Sequence, residues 1–466
     1  MKRRDFLSAT AGAAVGASIL SSPVGAAVSK ATKKRLVLVG TGVRGTSFWG
    51  RNIVRNYGDI TEFVGLCDIN PGRLELAKEY MGVDCPVYTD FDQMISETKP
   101  DLVMVTTVDA THHKYIIRAM ELGIDVLTEK PLTTDEVKAQ AIIDAEKKTG
   151  KKVIVGFNYR YGTLFSAIKE ELAKKPIGEV TSVDFHWYLN TYHGADYFRR
   201  WHGERDKSGT LLVHKSTHHF DLLNWLIDSD PVEVVAHGDL EHYGKNNKYR
   251  GLNCRNCAYT DKCKFYWDIT KSERSYQLYV ENEKYDGYIR DNCLWRDDID
   301  IYDKMAVQIK YANNVQVSYS LTTYSPYEGW RIAFNGKDGR LESWEDIPWR
   351  RQDKINQAEL HAAEMSQGED QNTRYDEIFI MNNFNPEYQM KKIVASRGGH
   401  GGGDARLQDK IFRDPDMPDP YKHAATSRDG VMSAIIGIAA RKSIEEQRVV
   451  RIDELTTIKP HPTRGA

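Results

Sequence analysis

The sequence predicts an α/β protein in two parts, a doubly wound parallel sheet followed by a domain built on a large, mainly antiparallel sheet. Three observations carry this expectation. Short apolar runs recur at helix-length intervals up to residue 156, a Gly-x-Gly-x-x-Gly loop closes the first of them, and beyond residue 157 the pattern turns to alternation broken by short turns. Strands separated by helices need right-handed crossovers and pair parallel, whereas alternating runs joined by turns pair antiparallel.

Taken in order, the segments 36–39, 63–66, 87–88, 102–105, 125–127 and 152–156 read as the strands of a first domain at 35–157. Segments 179–188, 232–242, 304–311, 315–321 and 331–334 read as strands of a second domain at 158–428. A helix at 214–227 falls between the first two of these. The polar, aromatic and cysteine-bearing stretch at about 245–298 reads as an excursion. An amphipathic helix at 429–446 opens the last segment, 429–466, and is expected to return to the first domain.

The chain begins Lys2-Arg3-Arg4-Asp5-Phe6-Leu7, continues with an apolar stretch from Ala9 to Leu20, and reaches small residues at Val24-Gly25-Ala26. This reads as a twin-arginine signal with its linker over 1–30. The apolar stretch is shorter than the roughly 20 residues a membrane span needs. A periplasmic or otherwise exported protein without a membrane anchor is expected, with the twin-arginine export machinery as a partner. The 466 residues carry a formal net charge of −2, which gives no basis for a nucleic-acid partner.

Gly40-Thr41-Gly42-Val43-Arg44-Gly45 follows the first strand, and a helix-compatible stretch follows it. Such a loop uses its first glycine for a tight turn, its second for close approach to a pyrophosphate and its third for helix packing. Asp68 ends the second strand, where a carboxylate accepts from adenosine ribose hydroxyls and repels a 2′-phosphate. NAD is therefore favoured over NADP, although Arg44 and Arg73 offer charge that would soften the preference. Glu129-Lys130-Pro131 follows the fifth strand, at the carboxyl edge where ligands of such sheets bind. Spacing alone leaves Lys130 open between a solvated surface lysine and an inward proton donor.

Together, the fingerprint, Asp68, Thr106-Thr107-Val108-Asp109-Ala110-Thr111-His112, Glu129-Lys130-Pro131, Gly156-Phe157-Asn158-Tyr159-Arg160 and the later histidine-rich helix resemble the Gfo/Idh/MocA family of glucose–fructose oxidoreductase and inositol dehydrogenase. The resemblance implies a Rossmann domain and a C-terminal α/β domain whose large open sheet mediates homo-oligomers, dimers or tetramers, and whose inner face holds a sugar or cyclitol. It implies a catalytic Lys130, and cofactor contacts from Gly40, Gly42, Val43, Arg44, Gly45, Asp68, Arg73, Thr106, Thr107, His112, Glu129 and Lys130. The family's Asp-x-x-x-His element aligns with His214 and His218, so His218 is the expected proton carrier, and His214, a departure from the carboxylate, is expected to orient the substrate or relay a proton. Four-residue spacing places both on one helical face. That pair also admits a metal reading, for which the sequence offers no third ligand.

Tyr159, Arg160, Trp201, His202 and His400 complete the expected substrate contacts, the last from the loop Gly398-Gly399-His400-Gly401-Gly402-Gly403-Asp404, which reads equally as a linker. Asp221 reads as a structural partner inside its helix. Cys254, Cys257, Cys263 and Cys293 are open between a structural metal site and disulfides, with disulfides favoured in an exported chain. Two activities fit these parts: an NAD-dependent oxidoreductase acting on a sugar, glycoside or cyclitol hydroxyl with a tightly held cofactor, and a redox-neutral NAD-dependent glycoside hydrolase. Export strengthens the second, since free NAD is not in dependable supply outside the cytoplasm.

Overall fold

The computed structural model describes residues 32–350, 356–366, 375–395 and 399–464. The segment read as an export signal lies outside the described residues, as does Gly398. From Lys33 onward the chain forms one unit.

Six strands build the first sheet: β1 (Lys34–Val39), β2 (Thr61–Cys67), β3 (Val87–Tyr88), β4 (Leu102–Val105), β5 (Asp125–Thr128) and β6 (Val153–Val155), in the order β3-β2-β1-β4-β5-β6. All pairings are parallel. Helices cover both faces, so the strands are apolar on both sides. Val37, Val39, Val103 and Val105 enter one core, while Leu36, Leu38, Leu102 and Met104 enter the other. Strand order reverses between β1 and β4, and at such a switch point a crevice opens beyond the carboxyl ends.

The second sheet has nine strands: β7 (Val180–Asn190), β8 (Pro231–Asp239), β9 (Lys304–Tyr311), β10 (Gln316–Ser325), β11 (Gly329–Gly336), β12 (Gly339–Glu345), β13 (Tyr375–Asn382), β14 (Tyr388–Val394) and β15 (Val450–Arg451). Their order is β14-β13-β12-β11-β7-β10-β9-β8-β15. The pairings are mainly antiparallel, as expected, with β7 and β10 running parallel. The inward residues Val183, Phe185, Trp187 and Leu189 of β7 enter the largest core, while Asp184, His186 and Tyr188 face outward, half-buried.

Two helical expectations change. The 214–227 helix is interrupted at Lys215, giving Leu211–His214 and Ser216–Ile227, so His214 and His218 belong to separate helical segments. The terminal helix, Ser427–Glu446, is not amphipathic in place. Thr426 and Asp429 close its start with a capping box, and it is buried on most of its faces from Ser427 to Ala440. It packs between β8, the Ser216–Ile227 helix and the Glu136–Thr149 helix of the first domain, rather than on the first domain alone. Gly437 makes this crossing possible, because a Cβ there would stand 2.2 Å from Leu212 O. Gly437→Ala is expected to destabilise the fold by about 1–3 kcal/mol through overpacking, read from urea unfolding at constant slope.

Candidate functional site

The loop after β1 is shaped by what it must pack against. Gly40 has φ of +93°, a region costly to side chains. A Cβ on Gly45 would fall 2.3 Å from Gly40 O and 2.5 Å from Thr106 Oγ1. The Thr106 hydroxyl donates to Gly40 O at 2.7 Å and fastens the loop to the end of β4. Thr107 accepts from Thr111 Oγ1 at 2.9 Å, which steadies the same turn. Gly42 differs from its neighbours, since a Cβ there would meet nothing within 4 Å. The backbone of Gly42 and Val43 thus borders open space in front of the helix that begins at Gly45. A pyrophosphate needs such a cradle. Asp68 Oδ2 accepts from Thr41 N at 2.7 Å and Thr41 Oγ1 at 2.9 Å. Its Oδ1 accepts the Asn70 N–H at 2.9 Å, lies 3.6 Å from Arg73 Nη2, and keeps acceptor capacity for a ribose hydroxyl. The residues present therefore fit a dinucleotide.

Further along the same edge, Lys130 precedes a cis proline, and its Nζ donates to His214 O at 3.1 Å. Burial pulls its pKa down to about 8, against the opposing fields of Asp109 and Glu129. His214 Nδ1 stands 2.6 Å from Asp109 Oδ2. The carboxylate missing at position 214 is thus supplied by Asp109, from the turn after β4. His202 packs edge-on to His214 with ring centroids 4.1 Å apart, and Trp201 stacks on His202 at 3.7 Å. His218 lies edge-on to Tyr159 at 4.8 Å and 5.9 Å from the His400 ring. Its buried Nδ1 finds no hydrogen-bond partner among the described residues. Burial, and then the charge of Lys130, hold His214 and His218 well below the ordinary histidine range, so both are neutral near pH 7. A cation can hold a hydroxyl oxygen while a neutral imidazole beside it receives the proton.

The family model for the Gfo/Idh/MocA oxidoreductase family, NAD-binding Rossmann fold, matches residues 34–157, and its C-terminal alpha/beta domain matches 169–452. The chain belongs to the Gfo/Idh/MocA family. It is an oxidoreductase with an NAD-binding Rossmann domain. The protein YteT of Bacillus subtilis strain 168 is 34% identical over 439 residues, covering 91% of this chain and 98% of that relative. Inositol 2-dehydrogenase of Agrobacterium fabrum is 30% identical over 198 residues, 41% of this chain and 55% of the relative, so the chain spans about half of that enzyme. Among solved structures, levoglucosan dehydrogenase with NADH and levoglucosan superposes with a TM-score of 0.63 at 15% identity, covering 90% of this chain and 100% of that one. The WlbA dehydrogenase of Bordetella pertussis, bound to NADH and UDP-GlcNAcA, gives 0.60 at 16% identity over 90% and 99% of the two chains. At these identities the structures establish a shared fold.

Within this Gfo/Idh/MocA frame several expected contacts are already engaged by protein. Arg160, expected at the substrate, is fully buried in an ion-pair hub: Nε donates to Asp221 at 2.7 Å, Nη1 to Lys422 O at 3.1 Å and Nη2 to Asp429 at 2.9 Å. It ties three segments together and has no nitrogen left for a sugar. Asp221 is its structural partner. His112, expected at the cofactor, sets Nδ1 2.8 Å from Pro131 O and Nε2 3.0 Å from Thr107 O, so it locks the Lys130–Pro131 turn to the turn after β4. Arg44 donates from Nε to Glu129 Oε1 at 2.6 Å and lies over Phe48, while Glu129 also accepts from Trp49 at 2.8 Å. These two side chains hold each other beside the loop.

The glycine-rich loop is not a plain linker. His400 stands 4.9 Å from Tyr159 by ring centroid, and its Nδ1 is 3.1 Å from Asp404 Oδ1, which also accepts from Asn158 at 2.6 Å. The four late cysteines line one small cavity of about 20 Å³, with Arg199 Nη1 2.9 Å from Cys254 Sγ. Neither reading of them is realised. All six cysteines are free thiols, and among the described residues no three His, Cys, Asp or Glu side chains gather to hold a metal, at His214 and His218 or elsewhere. Asp109 was present in a quoted motif, yet its role needs contact across 105 positions of sequence. Lys215, buried beside Tyr159 and Trp187, carried no sequence signal.

Replacing Arg160 by Met is expected to cost about 3–5 kcal/mol of stability, because it strands the buried Asp221 carboxylate. Chemical unfolding measures it, and the Arg160→Met/Asp221→Leu pair should recover most of the loss.

Proposed function

We propose that this chain oxidises a secondary hydroxyl of a sugar, glycoside or cyclitol, using NAD held tightly in the β1–β4 crevice. One observation carries the reading: a desolvated Lys130 and a neutral His218 with an unpartnered ring nitrogen stand beside the carboxyl edge that cradles the dinucleotide. The relatives support the substrate class, since one is named inositol 2-dehydrogenase and one solved neighbour carries levoglucosan. NAD, when bound, supplies the hydride acceptor. Gly42, Val43 and the helix from Gly45 would hold its pyrophosphate, and Asp68 its ribose.

The protein's own contribution is proton and charge control. The Lys130 ammonium donates to the substrate oxygen and stabilises negative charge as the O–H bond breaks. Neutral His218 accepts the proton. Asp109 orients His214, whose carbonyl in turn fixes Lys130 Nζ. Trp201, Tyr159 and His400 supply ring faces and edges suited to a sugar. We further place the protein in the periplasm, through its twin-arginine opening, and as a dimer or tetramer. The β13–β14 hairpin supports association, exposing Phe384, Tyr388, Met390 and Val394.

A second reading is favoured by that export signal: a redox-neutral glycoside hydrolase in which oxidation, elimination, water addition and reduction close on one resident cofactor. Purified enzyme distinguishes the two. A keto-sugar accumulating with equivalent NADH supports the dehydrogenase, whereas sustained release of p-nitrophenol from a glycoside without added NAD supports the hydrolase. In either case Lys130→Ala is expected to lower kcat by about 10³-fold; an unaffected kcat contradicts the shared mechanism.

The pH profile follows from the same groups. Lys130 is charged below its pKa of about 8 and loses the charge above it, while His218 stays neutral because its pKa lies well below 6.5. Oxidation should hold level from near neutrality and fall above about pH 8. Lys130→Arg, which keeps its charge, should lose that alkaline limb whatever its residual rate.

A further inference from the structure

The excursion after β8 reaches back over the first domain at the turn that follows β2 and at the helix after the glycine loop. Asn70 Nδ2 donates to Asn282 O at 2.9 Å. A Cβ on Gly72 would lie 1.8 Å from Asn282 Oδ1 and 2.9 Å from the Tyr285 ring, so only glycine fits beneath the excursion. Arg274 donates from Nη2 to Thr46 Oγ1 at 3.1 Å and Ser47 Oγ at 2.9 Å. The contact therefore spans both the helix after the glycine loop and the Pro71–Met81 helix after Asp68.

At the centre of this contact lies a charge triad. Arg73 Nη2 pairs directly with Asp286 and stands 3.6 Å from Asp68 Oδ1. All three side chains are close to fully buried. Arg73 is the cation nearest the expected ribose carboxylate, and in a bare Rossmann domain it would be available to a 2′-phosphate. Here the excursion supplies a second carboxylate against it. Two acidic groups face one guanidinium through its Nη2, so the turn carries a net negative charge, while the buried Nη1 finds no hydrogen-bond partner among the described residues. A phosphate added at the ribose would meet this net negative charge, and like-charge juxtaposition in a buried site is strongly unfavourable.

We infer that the excursion is the cofactor-selectivity element of this enzyme: Asp286 captures Arg73 across the domain contact and so excludes a 2′-phosphorylated dinucleotide. The inference rests on nucleotide binding in the β1–β4 crevice, and it assigns to this chain a specificity device that lies more than two hundred residues from the fingerprint.

The test measures binding, not turnover. Full-length protein freed of bound nucleotide is titrated with NAD and with NADP, following intrinsic tryptophan fluorescence. The native chain should prefer NAD. Asp286→Asn, which keeps the shape and removes the charge, should tighten NADP by at least about 10-fold while moving NAD by less than about 3-fold. Adding Arg73→Ala to that variant should abolish the NADP gain, because the released guanidinium is its source. Asp286→Ala is measured alongside, and thermal unfolding monitors folding of each variant. An Asp286→Asn protein that unfolds with a native-like Tm and an unchanged NADP affinity overturns the selectivity role. A gain that survives Arg73→Ala overturns the capture mechanism. Native protein that binds neither nucleotide contradicts the nucleotide reading itself, and is distinguishable from both other failures.

Discussion

The structure depends on a lysine ammonium partly withdrawn from water where the two domains meet. Removing such a charge from solvent is costly unless polar groups surround it. Lys130 finds a backbone carbonyl at His214, and Asp109 and Glu129 lie near enough to oppose the effect of burial on its pKa. The neutral state is brought within reach of ordinary pH without being imposed. Most of the site can be understood as the scaffolding this requires: His112 fixes the Lys130–Pro131 turn, Arg44 and Trp49 hold Glu129, and Asp109 aims the His214 ring.

The same arrangement explains why the second domain is more than a lid. The carbonyl that holds Lys130 comes from Leu211–His214, and that segment is positioned by the terminal helix crossing it at Gly437. Arg160 gathers Asp221 and Asp429, one from the histidine-bearing helix and one from the terminal helix. Substrate-side and cofactor-side groups are therefore fixed by ion pairs between segments distant in sequence, with few adjustable parts. A buried network that is fully paired favours one geometry, which proton transfer over hydrogen-bond distances requires.

Much of this was legible in the sequence where the signal is local. Apolar runs at helix intervals located the six parallel strands, and the glycine spacing located the nucleotide loop. His218 and Lys130 sit in motifs from which their proposed roles were readable. Strands β12 to β15 escaped because they are short or charged, as in Tyr388–Val394 with its paired lysines, and are held by neighbours rather than by pattern. The interruption at Lys215 and the burial of the terminal helix on most faces also depend on packing that no window of sequence contains. Arg160 was legible as a charged residue in a family motif, yet its three partners lie 61 to 269 positions away. Asp109 and Asp286 were invisible as functional residues for the same reason: each acts on a group reached only through the tertiary fold.

Among these dependencies, the ionisation of Lys130 ties burial to chemistry most directly. Competitive labelling of amines across a pH series on the full chain, with the Lys130 peptide quantified by mass spectrometry, reports its titration without any assumption about substrate. The account predicts a midpoint near its pKa of about 8. A midpoint near 10.5, the value for an ordinary lysine, would contradict it.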